Sequence, residues 1–155
     1  MKAIYWTIAG AVLAFAGPTQ AAQSDPEVII YRFPGVLDNG GAPNMGVATA
    51  FHCTNFSGAT ENIRLVTRNF NGVLLTNFMN AIDHLDTHTF STHATAAYNN
   101  DFLLNTGIVG QGTTAIAATS INVICTAETI DASTVVPIGV ARRGIRFSPV
   151  LGSQE

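Results

Sequence analysis

The sequence has few charged residues, since Asp, Glu, Lys and Arg together make up 11% of its 155 residues. From Gln23 onward it has no lysine and no tryptophan, and six arginines stand against ten acidic residues, a formal balance of −4. Nucleic-acid-binding domains instead carry a clustered basic face. One basic group stands near the C-terminus, with Arg142, Arg143 and Arg146, and we interpret it as a solvated strand end. The composition therefore argues against a nucleic-acid partner.

The sequence also lacks the short motifs of common enzyme classes. It contains no G-x-S-x-G, C-x-x-C, H-E-x-x-H, P-loop or G-x-G-x-x-G pattern. Carboxylates are present, but a glycosidase needs two that converge in space, and their spacing in sequence does not show this. As the leading interpretation we predict no enzymatic activity, no cofactor and no catalytic or metal-ligating residue.

The first 22 residues have the layout of a secretory signal peptide. A lysine precedes an apolar run over 3–16, and small residues at Ala21 and Ala22 suit the cleavage site. The run is shorter than the about 20 apolar residues that a membrane-spanning helix needs, and no second run of that length follows. We predict a signal peptide over 1–22, a single domain over 23–155 without a transmembrane segment, and a secreted or periplasmic location.

Short runs of β-favouring residues recur along the chain, separated by turn-forming residues. No long segment has an apolar period of 3.6 residues, so helices are not expected. Asn71-Gly72 is the strongest turn signal and predicts a hairpin over 62–79. The other predicted strands lie at 28–33, 45–56, 87–92, 113–120, 121–130 and 137–147, with a turn and loop at 34–41 and a loop over 95–107. Seven or eight strands at this spacing predict an all-β fold, an antiparallel two-sheet β-sandwich of immunoglobulin-like architecture.

Both cysteines, Cys53 and Cys125, lie in the middle of predicted strands. An even cysteine count in an exported protein favours a disulfide, and two cysteines allow one pairing. Strand alternation points His52 to the opposite side from Cys53. The side chains expected to share the inner face with the cysteines are Val47, Thr49, Phe51, Ile121, Val123 and Ala127. We predict a structural disulfide that clamps the sandwich across its middle, with two free buried thiols as the alternative.

Several of these segments together resemble a known group of proteins. The order VATAFHCTNFSG, a hairpin at NFNG, THTFST and then GQGTTAIAATSINVICTAETID is similar to that of small exported bacterial β-sandwich proteins of unassigned function. The likeness runs from about Val28 to Phe147 and is densest around the second cysteine. The resemblance implies a sandwich fold in an exported bacterial protein, and it carries over no catalytic residue.

Three of the four histidines fall between Asp83 and His93. We predict a turn over Asp83–Asp86 followed by a strand, which puts His88 and His93 on opposite faces. His84 and His88 would lie roughly 13 Å apart along an extended chain, whereas metal ligands sit about 2 Å from their ion. Only a tightly folded turn would bring His84, Asp86 and His88 to one metal, and this alternative stays open.

The leading functional expectation is an exported, non-enzymatic sandwich that acts by surface contact, in an adhesion, envelope or extracellular-matrix role. Strand faces rich in threonine and asparagine could offer hydrogen bonds to a protein or glycan partner. One alternative is a self-assembling filament or surface-layer subunit that exchanges a strand, donated by residues 23–33 or by the tail after Phe147. The other alternative is a metal-binding protein or hydrolase that uses the Asp83–His93 region.

Overall fold

A computed structural model of the chain describes residues 26–136, 138–142 and 144–146. The predicted signal peptide lies outside these ranges and stays a prediction. The strands are β1 (Val28–Asp38), β2 (Val47–Asn55), β3 (Glu61–Asn69), β4 (Leu74–Ile82), β5 (Thr87–Ser91), β6 (Asp101–Leu103), β7 (Val109–Ala118), β8 (Val123–Asp131), β9 (Gly139–Arg142) and β10 (Ile145–Arg146). Across these ranges, no helix is long and apolar enough to cross a membrane.

The strands form two five-stranded sheets that enclose a common core. The first sheet has the order β10-β1-β7-β3-β4, and the second has the order β6-β5-β2-β8-β9. Neighbouring strands are antiparallel except for β5 and β6, which are parallel. The predicted all-β, two-sheet sandwich is confirmed, with ten strands instead of seven or eight and with one parallel pair.

Alternation along the strands places apolar side chains between the two sheets. Ile63 and Leu65 of β3 and Phe51 of β2 are fully buried in one core cluster, while Arg64 and His52, which lie beside them in sequence, are partly exposed. Burial of each such large apolar side chain contributes roughly 1.5–3 kcal/mol of transfer free energy. The hydrophobic core thus fixes which face of each strand is turned outward.

The β3–β4 hairpin forms as predicted, with its turn at Asn71-Gly72. The Asn69 N–H donates to the Val73 carbonyl at 3.0 Å, and the Gly72 N–H donates to the Asn69 carbonyl at 3.0 Å. Gly72 has a φ of 85°, a left-handed conformation that glycine adopts without a steric penalty. The turn residues therefore set the register of the pair, which runs from Glu61 opposite Ile82 toward the turn.

The predicted disulfide joins Cys53 to Cys125, but its place in the fold differs from the expectation. The two residues are direct cross-strand partners on β2 and β8, with Cα atoms 4.2 Å apart. This separation is typical of a non-hydrogen-bonded antiparallel pair. The bridge therefore links neighbouring strands of one sheet, and it does not clamp the two sheets together. Val123 and Ala127 share its buried face as predicted, whereas Ile121 lies in a turn and is 48% exposed.

The predicted turn at Pro34-Gly35 is wrong, because β1 continues through it to Asp38. The register between β1 and β7 shifts between Pro34 and Val36, which is the mark of a β-bulge, and Gly35 has a φ of 77°. Proline lacks an N–H and is tolerated in strands at such bulges. The loop predicted to follow begins at Asn39.

Two further segments differ from the sequence prediction. The loop predicted over 95–107 contains the short strand β6, which pairs with β5. The single strand predicted over 137–147 is two strands in different sheets, because β9 pairs with β8 and β10 pairs with β1. Gly144 lies between them, where an added Cβ would overlap the Phe33 ring. The chain therefore crosses between the sheets at a point where only a residue without a side chain fits.

Candidate functional site

The Asp83–Asp86 segment forms the predicted turn between β4 and β5. The Asp86 N–H donates to the Asp83 carbonyl at 3.0 Å. Two contacts hold the turn against the loop after β2: Thr60 Oγ1 donates to the Asp83 carboxylate at 2.6 Å, and the Gly58 N–H donates to His84 Nδ1 at 3.0 Å. The His84 ring therefore positions this turn.

The next two histidines lie in different surroundings. The His88 ring contacts the rings of Phe90 and Phe102, with centroids 6.2 and 4.9 Å away. Its buried Nδ1 has no hydrogen-bond partner among the described residues. His93 instead contacts Asp38 and Met45. Across the described ranges, no group of three or more histidine, cysteine or carboxylate side chains is placed to hold a metal ion.

His93 fastens the end of β1 to the loop that follows it. Its Nδ1 lies 2.8 Å from Asp38 Oδ2, and its Nε2 lies 2.9 Å from the Met45 carbonyl oxygen. The ring therefore lies between the Asp38 carboxylate at the end of β1 and the backbone of the following loop. The other oxygen of Asp38 accepts the Gly40 N–H at 2.7 Å. With both nitrogens engaged, His93 is held as a structural contact and is not placed as a general base.

A shallow apolar depression lies beside this contact. Its lining residues are Leu37, Asp38, Asn39, Val47, Ile108, Val109 and Gly110. Both carboxylate oxygens of Asp38 already accept hydrogen bonds, so the depression presents mainly aliphatic surface. No nucleophile and base are paired among these lining residues.

Residues 92–100, which we name the strap, lie over the outer face of the second sheet. The Ala96 N–H donates to the Ala132 carbonyl at 2.9 Å. Ala97 and Tyr98 pack on a small cluster of buried side chains on this face: Ala48, Ala50, Ile130 and Ala132. The strap is thus held by apolar packing and by the backbone.

Tyr98 adds polar contacts between the strap and the second sheet. Its hydroxyl donates to Glu128 Oε1, and its ring meets the His52 ring edge-on at a centroid distance of 4.6 Å. His52 Nδ1 lies 3.0 Å from Thr89 Oγ1, and its Nε2 lies 3.5 Å from Glu128 Oε1. Burial of the Tyr98 phenol raises its pKa, and the bond and charge of Glu128 raise the pKa further. These groups form one hydrogen-bonded network that positions the strap.

Asp101 directly follows the strap and binds one of its side chains. Thr95 Oγ1 donates to Asp101 Oδ2 at 2.9 Å. Burial raises the pKa of the Asp101 carboxyl, while the hydrogen bond from Thr95 and the nearby His52 ring act in the opposite direction. The network under the strap therefore holds a carboxylate that is costly to ionise, but it presents no exposed nucleophile.

His52 lies on the outer face, as strand alternation predicted, but the sequence analysis did not predict its contacts with Glu128 and Tyr98. The signal was present in the cysteine pairing. If Cys53 and Cys125 are taken as direct neighbours, Ala50 falls opposite Glu128, and His52 then lies diagonally from Glu128 on the same face. The prediction that the bridge joined two sheets hid this contact.

The basic residues near the C-terminus are separated by the crossing between the sheets. Arg142 Nε donates to Thr129 Oγ1 at 2.8 Å, and the Arg146 guanidinium lies 5.7 Å from the centre of the Tyr31 ring. Arg143 lies outside the described residues. Arg142 and Arg146 are thus strand-end residues that belong to different sheets.

The sequence analysis predicted β4 as part of a hairpin but did not predict that it lies at the edge of a sheet. It occupies the end of the first sheet, and no strand of the described residues pairs with its other side. It is nine residues long, whereas the other edge strands β6, β9 and β10 have three, four and two residues. Its sequence, LLTNFMNAI, contains no charged residue and no proline.

The backbone of β3 shows which groups of β4 point to the open edge. Asn62 turns toward β7, since its carbonyl accepts the Thr119 N–H at 3.1 Å and its N–H donates to Thr119 Oγ1 at 3.0 Å. Successive residues of an antiparallel strand alternate between their two neighbours, so the odd-numbered residues of β3 bond to β4. Their partners on β4 are Thr76, Phe78, Asn80 and Ile82. The residues that direct their N–H and C=O groups to the open edge are Asn77, Met79 and Ala81, whereas Leu75 is the extra residue at the register shift and packs on the core.

The outer face beside this edge is fixed by one arginine. Arg64 donates to Glu27 through Nε at 2.5 Å and through Nη2 at 3.2 Å. Its guanidinium also contacts Asn77 Oδ1 at 3.0 Å and Met79 Sδ at 3.3 Å. The outward side chains at the middle of β4 are therefore held in place, and the strand presents an ordered edge.

The structure brings no catalytic or metal-binding group together from the described part of the Asp83–His93 region. It instead exposes a long uncharged strand edge and a fastened strap. Comparison of the chain with protein-family models, with curated proteins and with solved structures gave no match. The resemblance to small exported bacterial sandwich proteins therefore stays a prediction, and the function is argued from this geometry.

Proposed function

We propose that the protein is an exported, non-enzymatic β-sandwich that acts by surface contact, with the open edge of β4 as its contact surface. The observation that carries the proposal is this edge: nine residues, paired on one side, without a charge. Its role lies in adhesion, at the cell envelope or in an extracellular matrix.

An edge strand carries unpaired N–H and C=O groups with which an extended segment can pair. Natural proteins protect such edges by short length, charged side chains, prolines or bulges. β4 has none of the first three protections, and its register shift against β3 lies near the hairpin turn, between Thr67 and Arg68. An edge left open over this length is suited to binding another strand.

The chemistry of the edge favours a protein partner over a glycan. Main-chain hydrogen bonds at a fixed spacing recognise an extended polypeptide, and the alternate side chains provide selectivity. Met79 is 54% exposed on the outer side of the strand. The ligand class that fits is therefore an extended, uncharged protein segment.

The compartment follows in part from the disulfide. A bond between Cys53 and Cys125 is typical of an oxidising environment outside the cytoplasm. Together with the predicted signal peptide over 1–22, this supports a secreted or periplasmic location for the proposed contact.

Strand exchange by residues 23–33 is less well supported. Val28–Phe33 belongs to β1, which pairs with β7 on one side and, at Tyr31 and Arg32, with β10 on the other. Donation of this segment would remove a central strand from its own sheet. The other expected donor, the tail after Phe147, lies outside the described residues.

The proposal is tested by the binding of the purified protein to cell envelopes from its native source. Met79→Pro removes an N–H that faces the open edge and leaves the β3–β4 hydrogen bonds intact, whereas Met79→Ala removes the same side chain and keeps that N–H. We expect saturable binding of the wild type and of Met79→Ala, and binding at least about tenfold weaker for Met79→Pro. Equal binding by all three proteins would contradict the proposed contact surface.

A further inference from the structure

The chain contains two Asn-Gly pairs, Asn39-Gly40 and Asn71-Gly72. Asparagine is a thermolabile residue, and it loses its side-chain amide most readily before glycine, which has no side chain to hinder the reaction. We infer that Asn71 is a site of spontaneous deamidation in the folded protein, whereas Asn39 is protected by the loop around it. Both asparagines are exposed, and both glycines have a positive φ. The contacts of the two side chains are what separates them.

The reaction needs only the chain and water. The main-chain nitrogen of Gly72 attacks Cγ of Asn71, a C–N bond forms, and the side-chain nitrogen leaves as ammonia with the proton that the Gly72 nitrogen gave up. Water then opens the cyclic succinimide at either of its two carbonyls. The products are aspartate, which keeps the original main chain, and isoaspartate, in which the main chain runs through the side-chain carbon. Either product replaces a neutral amide with a carboxylate.

The Asn71 side chain is weakly held. Its Oδ1 accepts the Val73 N–H at a long distance of 3.4 Å, while the same N–H donates to Asn69 Oδ1 at 2.9 Å. Rotation of the Asn71 side chain toward Gly72 therefore leaves the Val73 N–H bonded to its nearer acceptor. The space beside Gly72 is open, since an added Cβ would meet nothing within 4 Å. Asn71 can thus bring its Cγ to the Gly72 nitrogen at little cost.

The Asn39 side chain is held more firmly. Its Oδ1 accepts the Val47 N–H at 3.1 Å, and its main-chain N–H donates to the Val47 carbonyl at 3.2 Å. The same amide packs against Gly46, where an added Cβ would lie 2.3 Å from Oδ1. Like Asn71, Asn39 also has a long contact with the N–H two residues on, at 3.3 Å from Gly41. The bond from Val47 and the packing on Gly46 therefore restrain Asn39 in addition to this contact.

The two attacking nitrogens are both hydrogen-bonded in the folded protein. The Gly72 N–H donates to the Asn69 carbonyl at 3.0 Å, and the Gly40 N–H donates to Asp38 Oδ1 at 2.7 Å. Each loop must open locally to free its nitrogen, so this requirement does not favour Asn39. The difference in reactivity therefore comes from the side chains of the two asparagines.

The two products change the β3–β4 hairpin in different ways. Aspartate at position 71 adds a carboxylate to the turn that Arg68 holds, through a bond from Nη1 to the Gly72 carbonyl at 2.9 Å, and it keeps the main chain of the turn. Isoaspartate lengthens the main chain by one atom between Asn69 and Val73. The bond from the Asn69 N–H to the Val73 carbonyl, which closes the turn at 3.0 Å, is then lost. Isoaspartate formation should therefore loosen the end of β4 nearest the turn.

Ageing of the purified protein at mildly alkaline pH tests the site. Peptide mapping by mass spectrometry follows the loss of each amide, and Asn39 is the internal control because it forms the same dipeptide in the same molecule. Since a hydrogen bond and its packing must be lost at Asn39 alone, we expect Asn71 to react at least about tenfold faster in the folded protein. In urea, where the loop around Asn39 is unfolded, the two should react at similar rates. Equal rates in the folded protein, or a faster Asn39, would overturn the assignment, and an unchanged ratio in urea would overturn its structural cause.

Amide hydrogen exchange tests the effect on the hairpin. Asn71→Asp carries the charge of the product on an unaltered main chain, so it is the matched control for the aged protein, whose deamidated fraction is isolated by ion exchange. The Asn69 amide should exchange faster in the isoaspartyl protein than in Asn71→Asp, where it should exchange as in the wild type. Equal exchange in the isoaspartyl protein and in Asn71→Asp would overturn the loss of the closing bond.

Discussion

Removal of the Cys53–Cys125 bridge tests how the second sheet is stabilised. The two cysteines are 72 residues apart in sequence, and the chain-entropy relation gives about 4 kcal/mol of stability for a loop of this length. Replacing both residues with alanine also removes two buried sulfur atoms, which adds about 1 kcal/mol. We expect the free energy of unfolding of the double variant to fall by about 4–5 kcal/mol in total.

The fold of the double variant should survive this loss. The ladder between β2 and β8 runs without a register shift from Val47 opposite Asp131 to Asn55 opposite Val123, with the cysteines in its interior. The strands therefore stay in register without the sulfur link.

Urea unfolding followed by circular dichroism measures the change, with reduced wild type as the control that keeps both sulfur atoms. The denaturant slope should increase, because the unfolded chain without a crosslink exposes more surface. A loss below about 1 kcal/mol would refute the loop-closure reasoning. Loss of the sheet signal in the absence of urea would refute the claim that the ladder positions the strands.

Three further substitutions test the contacts of the core and the strap. Burial raises the pKa of Asp101 above its ordinary value of 3.8, so the folded state loses stability as the pH rises from that value through the raised pKa. Asp101→Asn should be more stable than the wild type at pH 7, and urea unfolding at pH 4 and pH 7 should show this difference shrinking toward acid. Tyr98→Phe removes the hydroxyl that donates to Glu128 and should lower stability by about 1 kcal/mol, with faster amide exchange confined to the strap; unchanged exchange there would argue against the network. Gly144→Ala should lower the free energy of unfolding by about 1–3 kcal/mol through overlap with Phe33, whereas Gly110→Ala, where an added Cβ meets nothing within 4 Å, should have little effect in the same urea titration.

Features that depend on residues close together in the sequence could be predicted. Strand alternation from Cys53 predicted that Phe51 faces inward and His52 outward, and Asn71-Gly72 predicted the β3–β4 hairpin. The pairing of Cys53 with Cys125 followed from their number alone. The strand and turn signals are local in sequence, and two cysteines allow only one pairing. The all-β sandwich with its disulfide could therefore be predicted.

The features that depend on packing between distant segments were not predictable. Gly144 marks a crossing between sheets only because the Phe33 ring lies under it, and the sequence shows no such contact. The strap depends on Tyr98 meeting His52 and Glu128, which lie on three separate segments. β4 has an open edge because it is the last strand of the first sheet. The order of strands in a sheet depends on the whole topology, which local sequence patterns do not show.

Amide hydrogen exchange along β4 tests the open edge most directly. In the free protein the amides of Thr76, Phe78, Asn80 and Ile82, which bond to β3, should be protected, while those of Asn77, Met79 and Ala81 should exchange rapidly. With an envelope partner bound, this second set should become protected. Protection of all seven amides in the free protein, or rapid exchange of the second set under every condition, would contradict the account.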